Sequence, residues 1–359
     1  MKPPRILICC GTGGVGKTTT AAALGVGQAL AGHRVAVLTI DPARRLADAL
    51  GLDGLANDPK QVDLTGLDGT PGGSLHALML DKKQTFDRAI VQLSADPEAA
   101  GKMLSNRYYR AVSTRLTGAH EYMATEKLHE LASGGDFDVI VLDTPPSQHA
   151  LEFFHAPERL IELFDGPVMS RLTQPRRGLT GGATRRVFRY LLSLVGQSVM
   201  DDISEFFRLF ASVSEGFSAH SRDVSTWLRA DSTDIFLVTS ASTVSRRGAL
   251  DFIEVIKRDG FSFRGFFVNR CQTRLPLIDA PLDVHVPADM DPDAWAAWMQ
   301  QLDLAHHRRE AIADRHERAC DELSRQGGGA PVWALPIVTD GLRSLRGLAA
   351  LSKHLPSTR

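Results

Sequence analysis

A glycine-rich stretch near the start of the chain constrains the fold more than any other feature. Residues Gly11 to Thr18 match the spacing G-x-x-x-x-G-K-[ST]. An apolar run, Ile6 to Cys10, precedes them and a segment rich in helix formers, Ala21 to Leu30, follows, so the glycines lie where a strand turns into a helix. In that context glycines let backbone N–H groups converge on phosphates, and the helix N-terminus adds partial positive charge. The pattern predicts a nucleoside triphosphate site.

The loop residues have distinct predicted roles. Lys17 bridges the β- and γ-phosphates, and Thr18 ligates Mg²⁺. ATP with Mg²⁺ is therefore the expected ligand. The loop residues predicted to contact it are Gly11, Thr12, Gly13, Gly14, Val15, Gly16, Lys17, Thr18 and Thr19.

The same glycines also fit a second pattern. Gly11, Gly13 and Gly16 satisfy G-x-G-x-x-G, the fingerprint of dinucleotide binding, and Asp41 stands where a ribose-binding acid would. This interpretation has no use for Lys17 and Thr18, nor for a second acidic strand end at Asp143. The triphosphate interpretation uses all of them, and we adopt it.

Composition limits the class of protein. The 359 residues suffice for one large α/β domain, and a net charge of −1 gives no overall attraction to nucleic acid, so no such partner is expected. Four cysteines without a C-x-x-C pair favour reduced core thiols. No apolar run approaches the ~18 residues of a membrane span. A strand begins almost at once, which leaves no room for a signal peptide, so we expect a cytoplasmic protein.

Apolar, β-rich runs alternate with helical patterns along the chain. After the first strand they lie at His33 to Ile40, Leu75 to Leu80, Phe137 to Leu142, Ile235 to Thr239, Gly265 to Asn269 and Val332 to Leu335, whereas Gly51 to Gly73 reads as irregular. The alternation predicts an α/β fold with a doubly wound, mostly parallel sheet. Together with the glycine-rich loop, this predicts a fold of the P-loop NTPase type. We expect a single domain, 1–359, with a helical subdomain built from insertions at about 84–133 and 158–228.

Two acidic residues end predicted strands. Asp41 follows the second strand, and Asp143 follows Phe137 to Leu142. Both should reach the sheet edge that carries the loop, where a carboxylate beside the γ-phosphate suits the task of orienting water. Asp41 could instead be a helix N-cap or a ribose contact, and Asp143 could be a turn residue before two prolines.

These motifs together resemble a known family. The loop, Asp41-Pro42-Ala43 followed by Leu46, and Asp143-Thr144-x-Pro146-x-x-His149 are similar to the ATPases of the arsenical pump and of tail-anchored protein targeting, within the deviant phosphate-loop class. Bacterial members described as anion-transporting ATPases share the run from Glu121 through Asp143 to Leu151.

The resemblance implies a homodimer, or a heterodimer with a related ATPase, that binds nucleotide at its interface. It implies that Asp41 positions or deprotonates the attacking water and that Asp143 holds Mg²⁺ through water. Lys17 and Asp41 are then the catalytic residues, and Thr18, Asp41 and Asp143 form the Mg²⁺ site. The resemblance also implies that Asn269 and the loop after Pro336 contact adenine.

The chain also departs from this family. The signature lysine that reaches the partner's nucleotide falls on Thr12, so turnover is expected to be slow unless a partner supplies the lysine. The cysteines of the arsenite site and the zinc-binding C-x-x-C are absent. Arsenite as a thiolate ligand and a zinc-clamped dimer are therefore not expected.

Three surface features leave alternatives open. An apolar stripe from Ile203 to Phe217 could line a groove for a hydrophobic client, but packing within the helical subdomain is favoured. Six arginines between Val168 and Met200 could attract an anionic membrane or be a solvated face. The closing helix, Leu342 to Leu355, could target a membrane, although packing on the sheet is favoured.

The sequence predicts a Mg²⁺-dependent ATPase whose dimer couples nucleotide state to a client or a membrane partner at the helical subdomain, or to anion transport. One alternative is a regulatory protein that binds ATP with little hydrolysis. The other is a membrane-positioned, partitioning-type ATPase with peripheral membrane association.

Overall fold

The computed structural model describes most of the chain. The described residues are 3–41, 43–67, 72–115, 119–165, 197–274, 291–338 and 344–356. The six arginines singled out above, Arg171, Arg176, Arg177, Arg185, Arg186 and Arg189, lie outside them.

A single eight-stranded sheet forms the centre of the molecule. Its strands are β1 (Arg5–Gly11), β2 (Arg34–Thr39), β3 (Lys60–Val62), β4 (Ser74–Met79), β5 (Val139–Asp143), β6 (Thr233–Ser240), β7 (Phe263–Cys271) and β8 (Val332–Pro336). They lie in the order β3-β4-β2-β5-β1-β6-β7-β8, and every pair except β3–β4 is parallel. The predicted doubly wound, mostly parallel sheet is confirmed.

Helices cover both faces of this sheet. They are α1 (Lys17–Leu30), α2 (Arg45–Leu50), α3 (Lys82–Leu93), α4 (Pro97–Ser105), α5 (Arg107–Arg115), α6 (Ala119–Gly134), α7 (Ser147–Asp165), α8 (Gln197–Leu228), α9 (Thr243–Arg258), α10 (Pro292–Gln326) and α11 (Leu345–Ser352). Along β1, Ile6 and Ile8 belong to the core under α3–α9, whereas Leu7 and Cys9 belong to the core under α1, α2 and α11. Strands buried on both faces read as continuous apolar runs, which is why β1 was evident in the sequence.

The described helices between β4 and β6 lie in the part of the chain where a helical subdomain is expected. Helices α3–α6 lie between β4 and β5, and α7 and α8 lie between β5 and β6. Phe206, Val213 and Phe217 of α8 are buried in the same core as the sheet, and the ring of Phe217 packs 5.8 Å from that of Phe86. The favoured interpretation of the apolar stripe, packing rather than a client groove, is confirmed for these residues.

Two local expectations were wrong. The segment predicted as irregular contains β3, which pairs antiparallel with β4; only Val62 of its three residues is buried, so it carries no periodic apolar signal. Helix α7 begins at Ser147, ahead of the position of about 158 at which the second insertion was expected to start, and it continues through Pro157. Its early residues Phe153 and Phe154 are fully buried, so packing stabilises the helix despite the proline.

The closing helix packs as expected. Leu348 and Leu351 of α11 are fully buried in the core that contains α1. None of the described helices combines the length and apolarity needed to cross a membrane.

Candidate nucleotide-binding site

The phosphate loop lies between the end of β1 and the start of α1, at the carboxyl edge of the sheet. Gly14 and Gly16 have φ values of +78° and +96°, a backbone region that side chains other than glycine rarely adopt. Helix α1 begins at Lys17, and no side chain caps its N-terminus within the described structure. Its first N–H groups are therefore available to an anion, as a phosphate site requires.

Gly11 fixes the start of this loop, and we expect Gly11→Ala to be strongly destabilising. Its φ is +150°, and an added Cβ would lie 2.1 Å from the backbone oxygen of Val238 on β6. We expect the free energy of unfolding to fall by about 3 kcal/mol in urea titrations. Gly13→Ala is the matched control, because a Cβ added there would meet nothing within 4 Å in the described structure. Equal stability of the two variants would contradict this assignment.

Lys17 is the cation of the loop. Its side chain is buried, and Nζ donates a hydrogen bond to the carbonyl of Thr12 at 3.0 Å. Burial lowers the pKa of Lys17, and the nearby Asp143 carboxylate opposes this change. The ammonium group is therefore held in the loop by one carbonyl that a phosphate oxygen can replace.

Asp143 lies at the end of β5, in register with Cys9 on β1 and Thr39 on β2. It is 1% exposed, and Oδ2 accepts a hydrogen bond from the hydroxyl of Thr39 at 3.0 Å. Burial raises its pKa to about 6, against the lowering effect of Thr18, Thr39 and Lys17. Its Oδ1 is buried without a hydrogen-bond partner in the described structure. Since buried acceptors are nearly always paired, this oxygen fits a donor that comes with a ligand, such as a water bound to Mg²⁺.

Asp41 lies just after β2, at the same edge. Its Oδ1 accepts a hydrogen bond from the backbone N–H of Ala43 at 3.0 Å, and its Oδ2 pairs with Arg45 at 3.3 Å. The residue at the N-cap of α2 is Arg44, so Asp41 holds the turn before α2 rather than capping it. The side chain is 24% exposed and accessible to a water molecule. Its role toward water or Mg²⁺ stays a prediction.

Asn269 is held against the phosphate loop from β7. Its Nδ2 donates to the carbonyl of Val15 at 2.8 Å, and a Cβ on Gly16 would come within 2.1 Å of that nitrogen. Pro336 ends β8 in register with Cys271, so it reaches the same edge. Adenine contact by Asn269 and by the residues after Pro336 stays a prediction, and 339–343 lie outside the described residues.

The structure adds three residues that the sequence analysis did not single out as site residues. A cavity of about 630 Å³ beside Asp41 is lined by His120 and Glu121 of α6 and by Asp81 before α3. The ring Nε2 of His120 is hydrogen-bonded to the carbonyl of Ile40, next to Asp41. No local spacing links residues 40 and 120, so only the fold brings them together. The side chain of His149, part of the quoted motif, lies outside the described structure.

The comparison with known families now decides the identity of this loop. The family profile described as anion-transporting ATPase matches residues 4–269, well over half of the chain. The chain belongs to the anion-transporting ATPase family. The matched region contains the loop, Asp41, Asp143 and Asn269, and the predicted family is confirmed. Membership favours the phosphate-loop interpretation over the dinucleotide one.

Two relatives of this anion-transporting ATPase family member come from fungi. They are ATPase get3 of Aspergillus terreus and ATPase get3 of Aspergillus niger, each 27% identical over 194 residues. Each match covers 50% of this chain and 54% of the relative. The chain thus spans about half the length of the curated relatives it matches.

Proposed function

We propose that this chain hydrolyses ATP to ADP and phosphate in a Mg²⁺-dependent reaction. The observation that carries the proposal is the buried, unpartnered Oδ1 of Asp143, which lies at the same sheet edge as Lys17 and the uncapped start of α1. The free N–H groups of the loop can donate hydrogen bonds to a phosphate, and the unpartnered carboxylate oxygen can accept one from a water bound to the metal ion.

Each residue has a proposed part in the reaction. Phosphoryl transfer asks the protein mainly for positioning and charge neutralisation. Lys17 exchanges the Thr12 carbonyl for the β- and γ-phosphate oxygens, while the loop N–H groups bind the same phosphates. The Thr18 hydroxyl and, through a water molecule, the Asp143 carboxylate would hold Mg²⁺, which would supply further neutralisation of phosphate charge. Asp41 orients the attacking water and accepts its proton.

Steady-state phosphate release tests this function directly. We expect the purified chain to release phosphate from ATP in the presence of Mg²⁺ and to stop when EDTA is added. Restoring Mg²⁺ must restore the rate. Tight MgATP binding without phosphate release would instead favour the alternative of a regulatory protein that binds ATP with little hydrolysis.

We also propose that the active unit is a dimer, with itself or with a related ATPase, that passes nucleotide state to the helical region. The contact between His120 and the carbonyl of Ile40 supports the coupling, because α6 runs from the edge beside Asp41 into the helical core. The dimer itself rests on the resemblance of the chain's motifs to the family. A movement of Asp41 toward a bound phosphate would pull on α6 through this hydrogen bond. A hydrophobic client or a membrane protein would be engaged by surfaces other than the apolar stripe, whose described residues are packed.

Thr12 separates the dimer proposal from the regulatory alternative, because it replaces the family's signature lysine. Its methyl group faces Gly248 of α9, and the residue is half-buried. A cation placed beside the partner's γ-phosphate acts like an arginine finger, which typically raises the rate of hydrolysis by about 10³- to 10⁵-fold. A misplacement of about 1 Å, however, can lower the rate by about a hundredfold.

We therefore expect Thr12→Lys to raise phosphate release modestly, and only at protein concentrations where the dimer forms. The measurement is turnover per chain across a dilution series. A rise that is independent of concentration would mean that the lysine acts within its own chain. No rise at any concentration would favour ATP binding without efficient turnover, or a different partner.

A further inference from the structure

A compact group of histidine and acidic side chains lies between α6 and α8, inside the helical region. Helix α6 contributes Glu126 and His129, and α8 contributes His220 and Asp223. Each pair is spaced by three residues, so both members of a pair lie on one helix face. The two faces meet, and we call these four residues the α6–α8 histidine cluster.

Three donor atoms of this cluster lie close together. One donor atom each from Glu126, His129 and His220 lies within 4.8 Å of the other two. The Nδ1 of His220 lies 2.7 Å from Oε1 of Glu126, and the Nε2 of His129 lies 3.3 Å from Oδ2 of Asp223. Glu126 is 8% exposed and Asp223 is 58% exposed. The group therefore has a buried carboxylate at its base and an open carboxylate at its mouth.

Ring stacking holds the histidines together. The ring of His129 stacks on that of His220, with centroids 3.7 Å apart, and on the other side on Trp227 at 5.4 Å. His220 and Trp227 are seven residues apart, two turns of α8, so the ring from α6 is inserted between them.

We propose that the α6–α8 histidine cluster binds a divalent transition-metal ion of the Zn²⁺ type. His129 and His220 each supply a ring nitrogen and Glu126 a carboxylate oxygen, and Asp223 or water completes the shell. Zinc–nitrogen distances of about 2.0–2.1 Å require the donors to draw closer than 4.8 Å, so at least one of the two stacked rings would rotate out of the stack when the ion binds. The Glu126-x-x-His129 spacing of α6 is the one by which bundle helices hold di-iron and di-manganese centres, and α8 carries the same two ligand types in the reverse order.

The ligand set separates this site from the Mg²⁺ site of the phosphate loop. Imidazole nitrogen suits zinc and its neighbours, whereas Mg²⁺ prefers oxygen ligands. The ion would replace the proton shared by His220 and Glu126 and would cross-link α6 to α8. Since α6 also carries His120 beside Asp41, the cross-link would fix the helix that we propose to couple with the nucleotide.

Calorimetry of the metal-stripped full chain with ZnCl₂, in excess Mg²⁺, tests the proposal. We expect one Zn²⁺ per chain, and a loss of affinity of at least about tenfold in His129→Ala and in His220→Ala. His307→Ala is the control, because His307 forms a comparable but exposed pair with Asp303 on α10. Glu126→Gln removes the ligand charge with little change of shape and should also weaken binding.

Folding is checked on the same samples. Zn²⁺ should raise the thermal unfolding midpoint of the wild type and the His307→Ala variant, but not that of His220→Ala. Circular dichroism without metal shows whether each variant is folded. If an alanine variant is unfolded, the Zn²⁺ affinity of Glu126→Gln tests the site instead. Absence of Zn²⁺ binding by the wild type, or equal binding by the wild type and the folded cluster variants, would overturn the proposal, whether or not the chain hydrolyses ATP.

Discussion

Lys17→Ala is expected to abolish measurable nucleotide binding. Lys17 is the cation that the loop itself aims at the β- and γ-phosphates. Two charge-assisted hydrogen bonds at about 1.5–3 kcal/mol each correspond to a loss of about 10²- to 10⁴-fold in affinity. Calorimetry with MgATP measures this loss of affinity. The apo protein should remain folded, because the substitution removes a buried charge whose hydrogen bond in the described structure is to the Thr12 carbonyl.

Lys83→Ala is the matched control for that experiment. Lys83 is an exposed lysine of α3 that pairs with Asp87, so its loss should leave MgATP affinity unchanged. If Lys17→Ala bound MgATP as tightly as the wild type, the phosphate-loop assignment would be wrong.

Asp41→Asn is expected to bind MgATP nearly as well as the wild type yet to lose most hydrolysis. The amide oxygen can still accept the hydrogen bond from Ala43, and the exposed pair with Arg45 contributes little to stability. An amide cannot accept the proton of the attacking water, and loss of a general base typically costs about 10²- to 10⁴-fold in rate. Single-turnover phosphate release after rapid mixing isolates this step from product release.

Asp81→Asn provides the comparison. Asp81 lines the same cavity, but its carboxylate caps α3 by accepting from the backbone N–H of Gln84 at 2.9 Å. Asparagine is an equally good cap, so this variant should keep both stability and rate. If Asp41→Asn turned over within a few fold of the wild type, Asp41 would be a ribose or turn residue.

Local patterns were enough to predict the loop and most of the sheet. A strand buried on both faces is a continuous apolar run, and a phosphate loop needs glycines and a lysine at fixed spacing. Both features can therefore be recognised in a short stretch of sequence. The edge strand β3 was not predicted, because its exposed Lys60 and Gln61 give it no apolar pattern. Burial of Phe153 and Phe154 stabilises the start of α7, a tertiary effect that no local rule anticipates.

Contacts between distant residues were the part of the site that the sequence could not supply. The orphaned oxygen of Asp143 depends on what surrounds the end of β5, and the contact of His120 with Ile40 spans 80 residues. The α6–α8 histidine cluster could not be predicted either, because Glu126 and His220 are separated by 94 residues and become neighbours only when α6 packs on α8.

The hydrogen bond from Asn269 to Val15 also bears on when the loop acquires its final form during protein synthesis. Its partners are 254 residues apart. A ribosome adds about 5–20 residues per second, so roughly 10–50 s separate the synthesis of Val15 from that of Asn269. Strand β6, which flanks β1, is likewise made late, at residues 233–240. A nascent chain that already contains the complete glycine motif therefore lacks the amide that holds it, so the loop reaches its final form only late in translation.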